Sequence, residues 1–214
     1  VEKVRGHGVD RLQLVIAILV VGLALGLFSH ASSSLPGAWR WVGNFGALWL
    51  AIAFFVGRAS PNPWTGAAFG ALSLTAASVM HYVPRRMVHE GVSLHAFRWP
   101  VILWVLVGLA TGLLFGALGS AHARRLRIHS TIGVALLVAA FAAEALVLFR
   151  IGHDRAVQVA VPIEAVAALA LPLTLMGSWK ERVTTYAVAA AMVPLLAFAL
   201  ASFMGVIHRV YPGI

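Results

Sequence analysis

Seven long apolar stretches, separated by short polar breaks, decide most of what this chain can become. They run over 12–28, 38–56, 64–83, 99–119, 130–149, 158–176 and 183–207. Each is near the ~20 residues a helix needs to cross a hydrocarbon core, and none alternates with the period of two that a barrel strand requires. Within lipid, only helices and closed barrels satisfy their own backbone groups. The prediction is an all-α polytopic transmembrane helical bundle of about seven spans. Residues 1–214 form a single membrane domain, because no long polar linker interrupts them.

Composition supports this reading. Hydrophobic residues make up 61% of the 214 positions and charged residues 11%, against about 25% charged in a soluble domain. Too few polar groups exist to cover a water-facing globule. The formal charge of +9 would suggest nucleic acid in a soluble protein. Here the lysines and arginines sit in short loops and at helix ends, where they set topology and meet the anionic headgroups of the bilayer, so no nucleic-acid partner is expected. The absence of cysteine excludes thiol redox chemistry, disulfides and thiolate metal sites on this chain.

The first stretch ends at Ser29-His30-Ala31, which resembles a small-residue cleavage site. Its apolar run exceeds a usual signal-peptide core, so it is read as the first span. Ala59-Ser60-Pro61-Asn62-Pro63 is a tight turn, and Pro84–Arg98 is the longest loop, a candidate lid or interfacial helix. A cytoplasmic N-terminus places Lys3, Arg5, Arg11, Arg58, Arg124, Arg125, Arg127, Lys180 and Arg182 inside. It leaves Arg40, Arg85, Arg86, Arg98, Arg150, Arg155 and Arg209 outside.

Glycines recur four apart at Gly22 and Gly26, at Gly66 and Gly70, and at Gly108, Gly112 and Gly116. Four residues is about one helical turn, so each set makes a shallow groove that lets a neighbouring backbone approach. Such grooves serve either internal packing or a seam for a partner membrane protein or a second copy.

Polar groups inside spans are costly and mark function by default. Asn44, Glu144 and Glu164 each fall six residues from the outer end of a span, with His81 at the outer end of the third and Arg98 at the outer start of the fourth. The inner halves carry no acidic residue. This one-sided distribution predicts an outward-facing polar cavity lined by Asn44, His81, Glu144 and Glu164, with Arg98 near its rim. Pro162 frees backbone groups beside Glu164. Two carboxyls at one depth call for a proton, a cation or an arginine between them, which suits a small cationic solute. The competing reading pairs Glu144 with Arg150 or Arg98, and Glu164 with another helix-end arginine, to fix helix register.

Other chemistries lack support. The nine histidines lie mostly at helix ends or in loops, with neither the helical spacing of a metal site nor the depth for haem. The only lysines, Lys3 and Lys180, lie at the cytoplasmic face, so retinal has no partner for a Schiff base. No cofactor, metal or catalytic set is expected. Most tryptophans sit near interfaces, although Trp41 and Trp49 flank Asn44.

Several features occur in a familiar order: Leu35-Pro36, Gly43-Asn44, the run from Leu48 to Gly57, Tyr82, Phe97-Arg98-Trp99, Gly116 to Gly119, Glu144, and Pro172 followed by Gly177-Ser178-Trp179. The pattern resembles a family of small multispanning membrane proteins of unknown function, common in actinobacteria. His81 stands where that pattern leads one to expect another aromatic. The resemblance implies a multi-pass protein of a bacterial plasma membrane and supplies no activity. In size and small-residue grooves the chain also looks like the substrate-binding subunits of energy-coupling-factor importers, though seven spans depart from their six. The functional expectation is a non-enzymatic protein that binds or transports a small solute. The alternative is an accessory or scaffold subunit that packs on another membrane protein through its glycine faces.

Overall fold

The computed structural model describes residues 11–36, 43–88, 94–151 and 155–210. All regular structure among them is helical: α1 (Arg11–Ser33), α2 (Gly46–Arg58), α3 (Pro63–Val88), α4 (Leu94–Ala123), α5 (Arg127–Ile151), α6 (Arg155–Leu175) and α7 (Trp179–Val210). Five of the seven are long and apolar enough to cross a membrane: α1, α3, α4, α5 and α7. Their outer faces carry exposed Leu23, Leu27, Leu106, Leu113 and Phe198, which suits contact with lipid tails.

The helix boundaries follow local chemistry. Asn62 accepts the Thr65 N–H at 2.9 Å, and Pro63 fills the first helical position of α3, where its missing N–H costs nothing. At α7, Ser178 and Glu181 form a reciprocal capping box, with Glu181 N–H donating to Ser178 Oγ at 3.2 Å and Ser178 N–H to Glu181 Oε2 at 3.1 Å. This starts α7 four residues before the expected Val183. The other long correction concerns Pro84. It was expected to open a loop running to Arg98, but α3 continues through it to Val88 and α4 begins at Leu94. A proline near a helix end sacrifices one hydrogen bond without ending the helix. Only residues 89–93 of the expected lid lie between the helices, and they fall outside the described residues, as do 37–42.

The second expected span, 38–56, differs most. Its described helix, α2, has 13 residues and is about 20 Å long, short of the ~30 Å hydrocarbon thickness. The apolar part of α6, Val159–Leu175, is also short. Short turns at 59–62, 124–126 and 176–178 bring the end of α2 and the starts of α3, α5 and α7 to one end of the bundle.

Helices α1 to α4 form one packed group. The α3–α4 seam is the most extensive, α1 lies on α3, and α2 lies against α4 and α3. The glycines explain how closely they pack. A Cβ on Gly112 would sit 2.5 Å from the Gly70 carbonyl oxygen and 2.7 Å from the Ala71 Cα. Gly66 faces Gly116, while Gly22 and Gly26 meet the Ser73 and Ala77 carbonyls, and Gly108 lies against Leu74 and Ser78. All seven glycines face another helix of this same chain. Helix α5 joins this group to α6 and α7, which each pack on α5 and hardly touch one another. The core runs through α2 and α5, where Phe54, Val134, Ala135, Leu137 and Ala139 have no exposed surface.

Candidate functional site

Helix α2 begins at Gly46, directly after the turn at 43–45, so its first backbone N–H groups have no preceding helical turn. A helix leaves its first four N–H groups without intrahelical partners, and each must be satisfied by something else. The residue at its N-cap, Phe45, offers no side-chain acceptor. Glu144 supplies it from α5: Oε1 accepts the Gly46 N–H at 2.9 Å and Oε2 accepts the Ala47 N–H at 2.6 Å. The geometry favours this reach. Glu144 lies about 26 Å up α5, α2 starts about 18 Å above the shared end, and helical side chains lean toward their own N-terminus. The carboxylate also faces the positive end of the α2 dipole.

The turn that precedes α2 carries the second cluster. Gly43 and Asn44 are turn residues, and Asn44 lies in that turn instead of six residues inside a span as expected. Ser29 of α1 donates from Oγ to Asn44 Oδ1 at 2.9 Å, and His81 Nδ1 lies 2.9 Å from the same Ser29 Oγ. A serine hydroxyl has one proton, so with that proton on Asn44 it accepts from His81. This network assigns the imidazole proton to Nδ1. Asn44 Nδ2 donates to Ser33 Oγ at 3.1 Å, one turn along α1. Trp49 Nε1 donates to the Gly43 carbonyl at 3.0 Å and packs edge-on to His81, tying α2 to the turn.

Glu164 completes the arrangement. It sits on the inward face of α6 with Ala160 and Ala168, is 1% exposed, and its Oε2 has no hydrogen-bond partner. It lies within electrostatic range of Glu144. Among the described residues neither glutamate is paired with an arginine. Arg150 is exposed and lines a different cleft. The side chain of Arg98 and that of Gln158 lie outside the described residues. The His30 ring is edge-on to His81 at 6.2 Å, with a buried Nδ1 that also lacks a partner.

The structure therefore gathers Asn44, His81, Glu144 and Glu164 around one segment, residues 43–47. The Ser29, His81 and Asn44 cluster lies on its α1/α3 side and the two carboxyls on its α5/α6 side. Asn44 and Gly46 are exposed, while Glu164 is buried. Sequence reasoning missed Ser29, Ser33, His30 and the α2 N–H groups. Ser29 and Ser33 are four apart on one face at the polar end of a long apolar helix, which is a readable signal. No group of three or more His, Asp or Glu residues suited to a metal occurs among the described residues.

The model of a family of unknown function, DUF6518, matches residues 6–205. The chain belongs to this family. The match takes in α1 to α6, most of α7, and Asn44, His81, Glu144 and Glu164. No curated protein and no solved structure matches the chain. Family membership thus brings no activity with it, and any functional reading must come from the site.

Proposed function

We propose that this protein binds a small cationic solute at the Glu144–Glu164 centre and carries it across the membrane. The observation that carries the proposal is the Glu164 carboxyl, wholly buried with one oxygen unpartnered and within range of a second acid. Buried polar groups are nearly always hydrogen-bonded, and an orphaned one calls for a ligand, a proton or a role in chemistry. Two carboxyls with no arginine beside them among the described residues accommodate one another through a shared proton or a cation. Glu144 is held in place by α2, so Glu164 is the acid left to receive the solute. The exposed Asn44 and Gly46 give the route in. With the N-terminus cytoplasmic, as the arginine distribution suggests, that route faces the outside of a bacterial plasma membrane.

The experiment uses purified protein in detergent at constant ionic strength, with sodium, potassium or choline chloride as probes. One of these cations should raise the melting temperature of the wild type and leave Glu164→Gln unmoved. Reconstituted vesicles should then show uptake of that cation which Glu164→Gln abolishes. A melting temperature indifferent to all three, in wild type and variant alike, sinks the cationic reading.

A further inference from the structure

A second site lies on a different face of α5 from Glu144. Leu146, Val147 and Arg150 of α5 and Pro194, Ala197 and Phe198 of α7 enclose a cleft of about 340 Å³. That is at the small end of the range for sites that hold discrete small molecules. Its walls are aliphatic and aromatic apart from one guanidinium, and it opens on the lipid-facing side, where Leu195 and Phe198 are about three-quarters exposed. Two features of the sequence create it. Pro194 interrupts the α7 hydrogen-bond ladder, and Ala197 and Ala201 leave no side chain long enough to fill the gap.

Helix α7 is poorly covered by the rest of the chain. In its most apolar stretch 11% of residues are buried, against 61% in that of α5. Arg150 is exposed in the last turn of α5, at the level where a long basic side chain reaches the headgroup zone. An apolar slot topped by a single fixed cation matches one molecule of the surrounding bilayer better than any water-soluble solute. The slot takes a hydrocarbon chain and the guanidinium takes a phosphate, to which Arg presents a planar fork of donors.

We infer that the α5–α7 cleft is a binding site for an anionic phospholipid, with one acyl chain along Leu146, Val147 and Ala197 and its phosphate on Arg150. The bound lipid fills the packing that α7 lacks and ties it to α5. The site is separate from the glutamate centre, so either proposal survives the failure of the other.

The test is native mass spectrometry of the full chain, released from detergent after incubation with equal amounts of phosphatidylglycerol and phosphatidylcholine of identical acyl chains. The wild type should retain phosphatidylglycerol several-fold over phosphatidylcholine. Arg150→Gln should bring the two to near equality, and Ala197→Leu, which fills the slot, should remove both adducts. Should Ala197→Leu fail to fold, phosphatidylglycerol with a photoreactive acyl chain should label α5 and α7 around Val147 and Phe198 in the wild type. Equal retention of both lipids by the wild type overturns the inference, as does labelling spread evenly over the bundle. A dimer that retains no lipid also overturns it, because a second copy would then occupy the cleft.

Discussion

The group α1–α4 and the group α5–α7 solve the same problem in opposite ways. In the first, glycine faces bring backbones into contact, and buried side chains such as Phe54, Leu74 and Phe115 fill the spaces beside them. Such packing is how helices associate when lipid tails compete for every apolar surface. In the second, α6 and α7 stand apart on α5, a cleft remains open beside Pro194, and a buried carboxyl lacks a partner. The rigid group supplies a fixed frame. The looser group supplies the buried acid at which the proposed solute would bind. Glu144 belongs to α5 but spends both oxygens on α2, so it is the pin between the two.

The contrast can be broken most sharply at its tightest point. A Cβ at Gly116 meets the Gly66 backbone and lies 3.1 Å from the Gly70 Cα, and neither is the end of a flexible side chain. Gly116→Val should cost more than roughly 4 kcal/mol, the range of severe core disruption. The readout is loss of monodisperse protein on size exclusion. Recovery of well-folded Gly116→Val at wild-type yield would mean the α3–α4 seam is looser than described.

Next comes the pin. Glu144→Ala strips the partners from two N–H groups at the α2 start, and hydrogen bonds to a charged group are worth about 1.5–3 kcal/mol each. The variant should lose roughly 3 kcal/mol in denaturant titrations, with Glu144→Gln intermediate. Glu164 should behave in the opposite sense. Its unpartnered oxygen is a desolvation cost, so Glu164→Leu should leave stability unchanged or raise it by about 1–2 kcal/mol while removing any cation response. If Glu164→Leu instead melts as early as Glu144→Ala, then Glu164 has a structural partner and the distinction between the two acids fails. The smallest effect is at Gly205 in α7, where an added Cβ meets nothing within 4 Å. Gly205→Ala should raise stability by about 0.5–1 kcal/mol through helix propensity alone.

Much of this arrangement is legible in the sequence because it depends on local pattern. Apolar runs of spanning length give the helices, and glycines four apart give faces that do meet other helices. The start of α2 is not legible in that way. Residues 38–56 read as one apolar run, and hydropathy cannot show that the helix begins only at Gly46. The residue that satisfies its first N–H groups is far along the chain, and no local spacing announces that partnership. Asn44 lies in a turn, not within a span, and its amide meets Ser29 and Ser33 of α1. Pro84 misled in the other direction, since a helix near its end can absorb a proline. The Ser178–Glu181 box shows the reverse case, a local signal that sits in a polar stretch and extends a helix beyond its apolar part.

The distance in sequence between α2 and its cap also orders how the protein can be made. Gly46 and Glu144 are separated by 98 positions, so a ribosome delivers α2 to the insertion machinery well before the carboxylate that satisfies it exists. Until α5 emerges, water must satisfy the Gly46 and Ala47 amides. A chain truncated ahead of α5 would keep α2 against α3 and α4 but leave those two N–H groups without their carboxylate.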